Sequence, residues 1–323
     1  MKKLQHPQIT STPFGNLPIN IKDLPTHLAK TKAHDEIKIV YFGTPEFSAY
    51  ILEKLIEFCG LDEKFTVQTV ITRADKPAGR KQEVKEPPVA MIAKKYNIPT
   101  LKPTKLDEDF ITAHLSLLTC DLIIVASYGK IIPQALLDIP TIGSLNVHGS
   151  ILPKYRGASP IQSAILNGDK ETGVTIMLMD AEMDHGPILS AKEFSLSEKE
   201  TYVSLSTKMS QVAVPLLIET MVKFVEGKIK PKPQNHQKAT FCKLLKKEVG
   251  FFDINNPPSP QQLDRMIRAY YPWPGVWSKW HNKIVKFYPE GKIHPDLIGV
   301  QMEGKKAIPL KDFLNGYPDF PIH

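Results

Sequence analysis

The stretch "CDLIIVAS" (120–127) decides the fold. Leu122, Ile123, Ile124, Val125 and Ala126 follow one another without a polar residue. A strand with one wet face alternates apolar and polar side chains. A short unbroken apolar run is the mark of a strand covered on both faces, as in sheets flanked by helices. Four other stretches read as strands: "EIKIVYFG" (36–43), "FTVQTVIT" (65–72), "SLNVHG" (144–149) and "GVTIMLMD" (173–180). Segments of helical period lie between most of them; "FSAYILEKLIEF" follows the break Gly43-Thr44-Pro45-Glu46. Strands alternating with helices predict an α/β sheet with crossover connections. Right-handed crossovers would gather the strand C-terminal ends, and any ligand, on one edge.

Further out, the organisation changes. Residues 1–35 lack sustained periodicity and read as an N-terminal extension. Residues 202–227 form a long amphipathic helix ending at Gly227 and close a domain spanning 36–227. "KIKPKPQNHQK" (228–238) alternates Lys and Pro and reads as an extended linker. Residues 239–323 carry short apolar runs, turn residues and aromatics: a small mostly-β domain with a helix near "PQQLDRMIRAY" (260–270).

Composition narrows the function. The 323 residues suit about two domains, and 42% hydrophobic with 23% charged residues is ordinary for a soluble globular protein. No apolar run approaches the roughly 18 residues of a membrane span. The start has two lysines but no apolar segment behind them, and the first arginine is Arg73, so neither a signal nor a transit peptide is read and the expected location is cytoplasmic. The net charge of +7 favours phosphate-bearing partners. Cys59, Cys120 and Cys242 are far apart, with no C-x-x-C, and are expected to be free thiols.

The chemistry starts at Asn146 and His148. Two apart on a strand, they project to one face. An amide donor beside an imidazole can stabilise an oxyanion while the imidazole moves a proton. Alone, such a pair is more often a satisfied strand end. A second cluster changes the balance: "MLMDAEMDHGPIL" (177–189) carries Asp180, Glu182 and Asp184 in a loop with Gly186, placed at the same sheet edge, where a carboxylate could hold His148. Other chemistries are absent: no G-x-G-x-x-G, no phosphate-binding G-x-x-x-x-G-K-[ST], no G-x-S-x-G and no metal-ligand spacing.

Taken together, "YFGTPEFS", "TRADKPAGR", "SYGKIIP", "NVHGSILPKYRGASPIQSAILNGDKETGVTIMLMDAEMDHGPIL" and "IRAYYPWPG" resemble the methionyl-tRNA formyltransferase family. The Asn-x-His strand with its later Asp is shared across 10-formyltetrahydrofolate-dependent formyltransferases. The loop at 74–82 and "AYYPWPG" are the more selective parts. The resemblance implies a Rossmann-like formyltransferase domain and an OB-like C-terminal domain, here abridged. It implies formyl transfer from 10-formyltetrahydrofolate to the amino group of initiator methionyl-tRNA, without a metal, by a chain expected to be a monomer. Asn146, His148 and Asp184 match the catalytic trio. Ser150, Ile151, Leu152 and Pro153 match the segment that touches the folate. Tyr128, Gly129, Lys130, Ile131 and Ile132, with Asp180 and Met183, match walls of the pterin pocket. Arg80 matches the basic residue that meets the tRNA acceptor end.

Beside such a site, the basic residues acquire partners. Lys76, Arg80 and Lys81 become a clamp on phosphates and terminal bases, and Lys243, Lys246, Lys247, Arg265 and Arg268 extend the positive surface into the second domain. Lys154 and Arg156, just past the folate segment, are expected to face incoming phosphates. Most of Tyr270, Tyr271, Trp273, Trp277 and Trp280 are expected in the core. The alternatives are a formyltransferase acting on a small amine, such as an amino sugar nucleotide or glycinamide ribotide, and a non-catalytic tRNA-binding relative.

Overall fold

The computed structural model describes residues 36–78, 83–292 and 298–322. The N-terminal extension read at 1–35 lies outside the described residues. β1 (Ile37–Gly43) feeds α1 (Glu46–Cys59), and β2 (Phe65–Ile71) follows. The antiparallel pair β3 (Lys76–Ala78) and β4 (Glu83–Lys85) comes next. α2 (Pro88–Lys95), β5 (Thr100–Leu101), α3 (Glu108–Ala113) and α4 (Leu115–Leu118) lead to β6 (Leu122–Ala126). α5 (Gln134–Leu137) precedes β7 (Gly143–His148); β8 (Arg156–Gly157) and α6 (Pro160–Asn167) follow it. β9 (Glu171–Leu178) and β10 (Ile188–Ser195) then precede α7 (Tyr202–Val225).

These strands make a seven-stranded sheet in the order β10-β9-β7-β6-β1-β2-β5. β7, β6, β1, β2 and β5 run parallel. β1 and β6, at its centre, are buried along nearly their whole length, as the unbroken apolar runs require. α1 and α7 pack on each other and cover this sheet. α7 begins with a capping box at Thr201 and Ser204 and buries Leu205, Met209, Ala213 and Leu217, a strict four-residue stripe. Burying each large apolar side chain of this kind contributes about 1.5–3 kcal/mol.

One expectation is corrected. β9 runs antiparallel to β7, with Leu178 opposite Leu145 and Thr175 opposite His148. The end of β9 therefore lies beside the start of β7, not at the C-terminal edge of the parallel strands. The acidic loop reaches Asn146 and His148 only by folding back over the sheet.

The segment expected as a linker is extended but not free. Lys232 and Ile188 exchange both backbone hydrogen bonds at 2.8 Å, tying the chain to β10. Nine residues on, β11 (Phe241–Cys242) pairs in parallel with β8. α8 (Pro260–Tyr270) then leads into β12 (Val276–Trp280), β13 (Lys283–Tyr288), β14 (Gly299–Met302), β15 (Ile308–Pro309) and α9 (Leu310–Gly316). The strands form an antiparallel meander in the order β12-β13-β14-β15, whose last member has two residues. That is the small antiparallel sheet of the second domain. α9 was not foreseen; its Phe313, with Tyr317 and Phe320, packs edge-on or tilted around Trp280. Tyr270 is buried too, whereas Trp273 is exposed.

The three thiols are free. Burial pushes Cys59 and Cys120 each up to about 12 from 9.0, with Asp62 and Asp121 adding to the effect. Folded-state values raised in this way contribute stability that is full below pH 9.0 and is lost as pH climbs towards about 12. Iodoacetamide at pH 8 is expected to leave both thiols of the native protein unmodified and to label them after denaturation. Labelling of either at the rate of a small free thiol would contradict the burial.

Candidate active site

β7 lies between β6 and β9 and is buried from Ser144 to His148. Asn146 and His148 point to the same face, and neither has more than a sliver of exposed surface. Beyond His148 the chain is fastened at once. Thr175 of β9 donates from its hydroxyl to Ser150 O at 2.7 Å and accepts from Leu152 N at 3.1 Å. The loop then brings Tyr155 O to 3.0 Å from His148 Nε2.

Asp184 completes the group from the other side. Its φ of 49° is in the left-handed region, where aspartate is tolerated better than most residues. The folded-back loop uses that turn to aim the carboxylate at β7. Oδ1 accepts from Asn146 Nδ2 at 3.1 Å and lies 3.5 Å from His148 Nδ1. Oδ2 accepts the backbone N–H of Gly157 at 2.7 Å. One carboxylate, 13% exposed at its side chain, thus gathers an amide, an imidazole and a backbone donor. His148 thus faces the Tyr155 carbonyl through Nε2 and the Asp184 carboxylate through Nδ1.

Residues 37–221 match the formyl transferase family, and residues 244–293 match the formyl transferase C-terminal domain. This chain belongs to the formyl transferase family. Among its relatives, a methionyl-tRNA formyltransferase from Geotalea daltonii is 36% identical over 305 residues, spanning 87% of this chain and 96% of the relative. Another from Thermodesulfovibrio yellowstonii is 38% identical over 301 residues, spanning 86% and 95%. Among solved structures, a 4-N formyltransferase from Francisella tularensis superposes with a TM-score of 0.61 at 19% identity, covering 78% of this chain and 96% of that one. HypX from Aquifex aeolicus in complex with tetrahydrofolic acid gives 0.58 at 16% identity, covering 88% and 48%. At such identities the structural likeness speaks for the fold.

The formyl transferase treats the other expected site residues unequally. Ser150 is buried and donates to Lys154 O at 2.5 Å; Leu152 is buried as well. Tyr128 and Ile132 send their side chains into the core, Tyr128 edge-on to Phe42 at 5.3 Å. The Tyr128 hydroxyl is buried without a hydrogen-bond partner, and burial pushes it up to about 12. Gly129 has a φ of 80°. Lys130 Nζ donates to the carbonyls of Pro103 and Thr104, both at 2.7 Å. Ile131 and Met183 are left in the open, at 79% and 57% exposure. Asp180 pairs with His185 Nδ1 at 2.7 Å.

The basic residues divide likewise. Arg80 and Lys81 lie outside the described residues. Lys76, Lys243, Lys246 and Lys247 are exposed, and Lys247 Nζ stands 5.9 Å from the centre of the Trp277 ring. Arg265 and Arg268 are instead turned toward the first domain. Arg265 donates to Asn167 O at 3.4 Å, and Arg268 bonds Asp264 and Glu200 O at 2.9 Å each. Their guanidinium groups hold α8 in place. Arg156 is a correction: it is 4% exposed and faces no solvent. It binds Gln234 Oε1 through Nε at 3.1 Å and Nη2 at 2.7 Å, with His236 Nδ1 2.9 Å from Nη2. Lys154, two residues earlier, is exposed.

Sequence reasoning missed Gln234, Gly157, Thr175 and Tyr155. Gln234 sits in a Lys-Pro alternation that reads as a spacer, and its partners are 48 to 78 residues away. The available signal was the non-repeating "QNH" inside the alternation. Among the described residues, no group of three or more His, Cys, Asp and Glu could hold a metal, and no helix is long and apolar enough to cross a membrane.

Proposed function

We propose that this formyl transferase moves the formyl group of 10-formyltetrahydrofolate to the free amino group of methionyl-tRNA. The observation that carries the reading is the convergence of Asn146, His148 and Gly157 N–H on the Asp184 carboxylate. It stands in a chain whose relatives named methionyl-tRNA formyltransferase match over most of their length. The loop at 128–132 leaves Ile131 open, an apolar side chain on which a flat heteroaromatic donor could rest.

The step balances without electron transfer. The amine nitrogen adds to the formyl carbon, the bond from that carbon to the donor nitrogen breaks, and the proton shed by the amine ends on the donor nitrogen. Negative charge gathers on the formyl oxygen at the tetrahedral stage. Asn146 offers one N–H to Asp184 and has a second for that oxygen, and His148 Nε2–H, given up by the Tyr155 carbonyl, is the other donor. Asp184 fixes both groups and relays the amine proton through water. Exposed Lys76 and the Arg80 loop receive the acceptor end of the tRNA.

A turnover assay with methionyl initiator tRNA, uncharged tRNA and small amines tests the reading. Formyl transfer is expected with methionyl-tRNA alone, and His148→Ala is expected to lose about 10²–10⁴ of the rate. Near-normal turnover by His148→Ala would refute the assignment. Arg80→Ala is expected to raise KM for the tRNA with little change in kcat; equal loss on a small amine would favour a different acceptor.

A further inference from the structure

Asp184 is set by more than the three donors on its carboxylate. Gln234 Nε2 donates to Asp184 O at 2.9 Å and to Gly186 O at 2.7 Å. The oxygen of the same amide accepts both bonds from Arg156. Arg156 is the residue before Gly157, whose N–H donates to the Asp184 carboxylate. One buried side chain therefore ties together the two loops that meet at the site. Every donor and acceptor around its amide is matched, and that matching leaves little freedom to slide.

The segment that carries Gln234 is built as a strap. Lys232 anchors it to Ile188 on one side. On the other, Thr240 O accepts Arg156 N at 2.8 Å, Thr240 Oγ1 accepts Tyr155 N at 2.8 Å, and Thr240 N donates to Pro153 O at 3.2 Å. Ser159 Oγ donates to Lys243 O at 2.7 Å. Residues 232–243 thus run along the outside of the loop at 153–159, the loop that presents Tyr155 O to His148.

We infer that Gln234 is a positioning residue for formyl transfer: it fixes the Asp184 loop against the Arg156–Gly157 loop, so that a segment outside the first sheet sets the geometry of the trio. The inference rests on the reading of the trio proposed above. Gln234 touches no reacting atom. Its effect should appear in kcat, because a displacement of about 1 Å in a reacting constellation can cost about 10²-fold.

The test uses Gln234→Glu and Gln234→Leu in the full-length protein. Glu keeps an acceptor for Arg156 and adds an ion pair, but turns an oxygen toward two carbonyls. Leu removes every bond at similar size. Both variants are expected to lose about 10- to 100-fold in kcat, with KM for donor and tRNA within about threefold. Gln234→Glu should lose kcat while melting no lower than Gln234→Leu, which separates positioning from stability. Amide exchange at Gly157 N–H should quicken at least tenfold in both, relative to the core strand β1. Asn235→Ala, which removes only a cap on Gln237 N, should leave kcat and this exchange unchanged. Unchanged Gly157 exchange in Gln234→Glu, or kcat within about threefold of the parent, would overturn the inference. His148→Ala in the same assay keeps the two readings apart: its continued turnover sinks the trio, whereas its inactivity beside fully active Gln234 variants sinks only the latch. The exchange measurement does not depend on activity at all.

Discussion

Asp184→Asn is expected to lower the single-turnover rate of formyl transfer by about 10²–10⁴-fold while leaving the fold intact. The carboxylate meets only donors: Asn146 Nδ2 and His148 Nδ1 at Oδ1, and Gly157 N at Oδ2. An asparagine has one acceptor oxygen to offer. If it faces Gly157, its NH2 meets Asn146 and His148; if it faces those two, its NH2 meets the Gly157 N–H. Either way a largely buried donor loses its partner, at about 1–3 kcal/mol, and the group 3.5 Å from His148 Nδ1 becomes a neutral amide. The proton relay proposed for Asp184 would go with it. Rapid-quench measurement at saturating donor is the check, and a rate within about fivefold of the parent would remove Asp184 from the chemistry.

Gly157→Ala is expected to cost about 2–5 kcal/mol of stability and most of the activity with it. Gly157 has a φ of 116°, which side-chain-bearing residues rarely adopt. A Cβ built there would stand 2.2 Å from Cys242 O and 3.3 Å from its carbonyl carbon. The obstacle is backbone, so no rotamer change relieves it. The pairing of β8 with β11 has to open, and the N–H that donates to Asp184 moves with it. Thermal unfolding should show the loss, and turnover measured well below the new midpoint should still be impaired. A variant with parental Tm would mean that the strap yields cheaply.

Much of this site was legible before the structure. β1, β2, β6 and β7 declared themselves through apolar runs, and α7 through its four-residue stripe, because burial leaves a local record in composition. Asn146 and His148 were paired by the two-residue period of a strand. Asp184 was recognisable as a candidate from the family resemblance and from its loop. The direction of β9 was not legible, because periodicity reports that a strand exists and says nothing of which way it runs. Nor was the fate of the arginines. Arg80, Arg156, Arg265 and Arg268 look alike as charges in a sequence. Arg156 found Gln234, a partner 78 residues later, while Arg268 found the carbonyl of Glu200, 68 residues earlier. Local reading assigns a charge to solvent by default, and only the packed chain reveals which ones are spent inside. β3 and β4 escaped notice for a related reason: their charged, proline-bearing sequence carries no apolar face to betray a strand.

The way α8 sits has a consequence for how the protein comes apart. Leu263 and Ile267 belong to the same continuous apolar cluster as Ile39 of the first sheet and Phe313 and Phe320 at the far end of the chain. α8 packs on α6 and α7, and Arg265 and Arg268 lock it to the opposite side of that seam. Two sheets that would count as two domains by topology therefore share one reservoir of buried surface. Loosening the second exposes apolar area on the first, so calorimetry should record a single cooperative endotherm rather than two. A fragment ending at Gly227 is expected to carry a bare hydrophobic seam into solution.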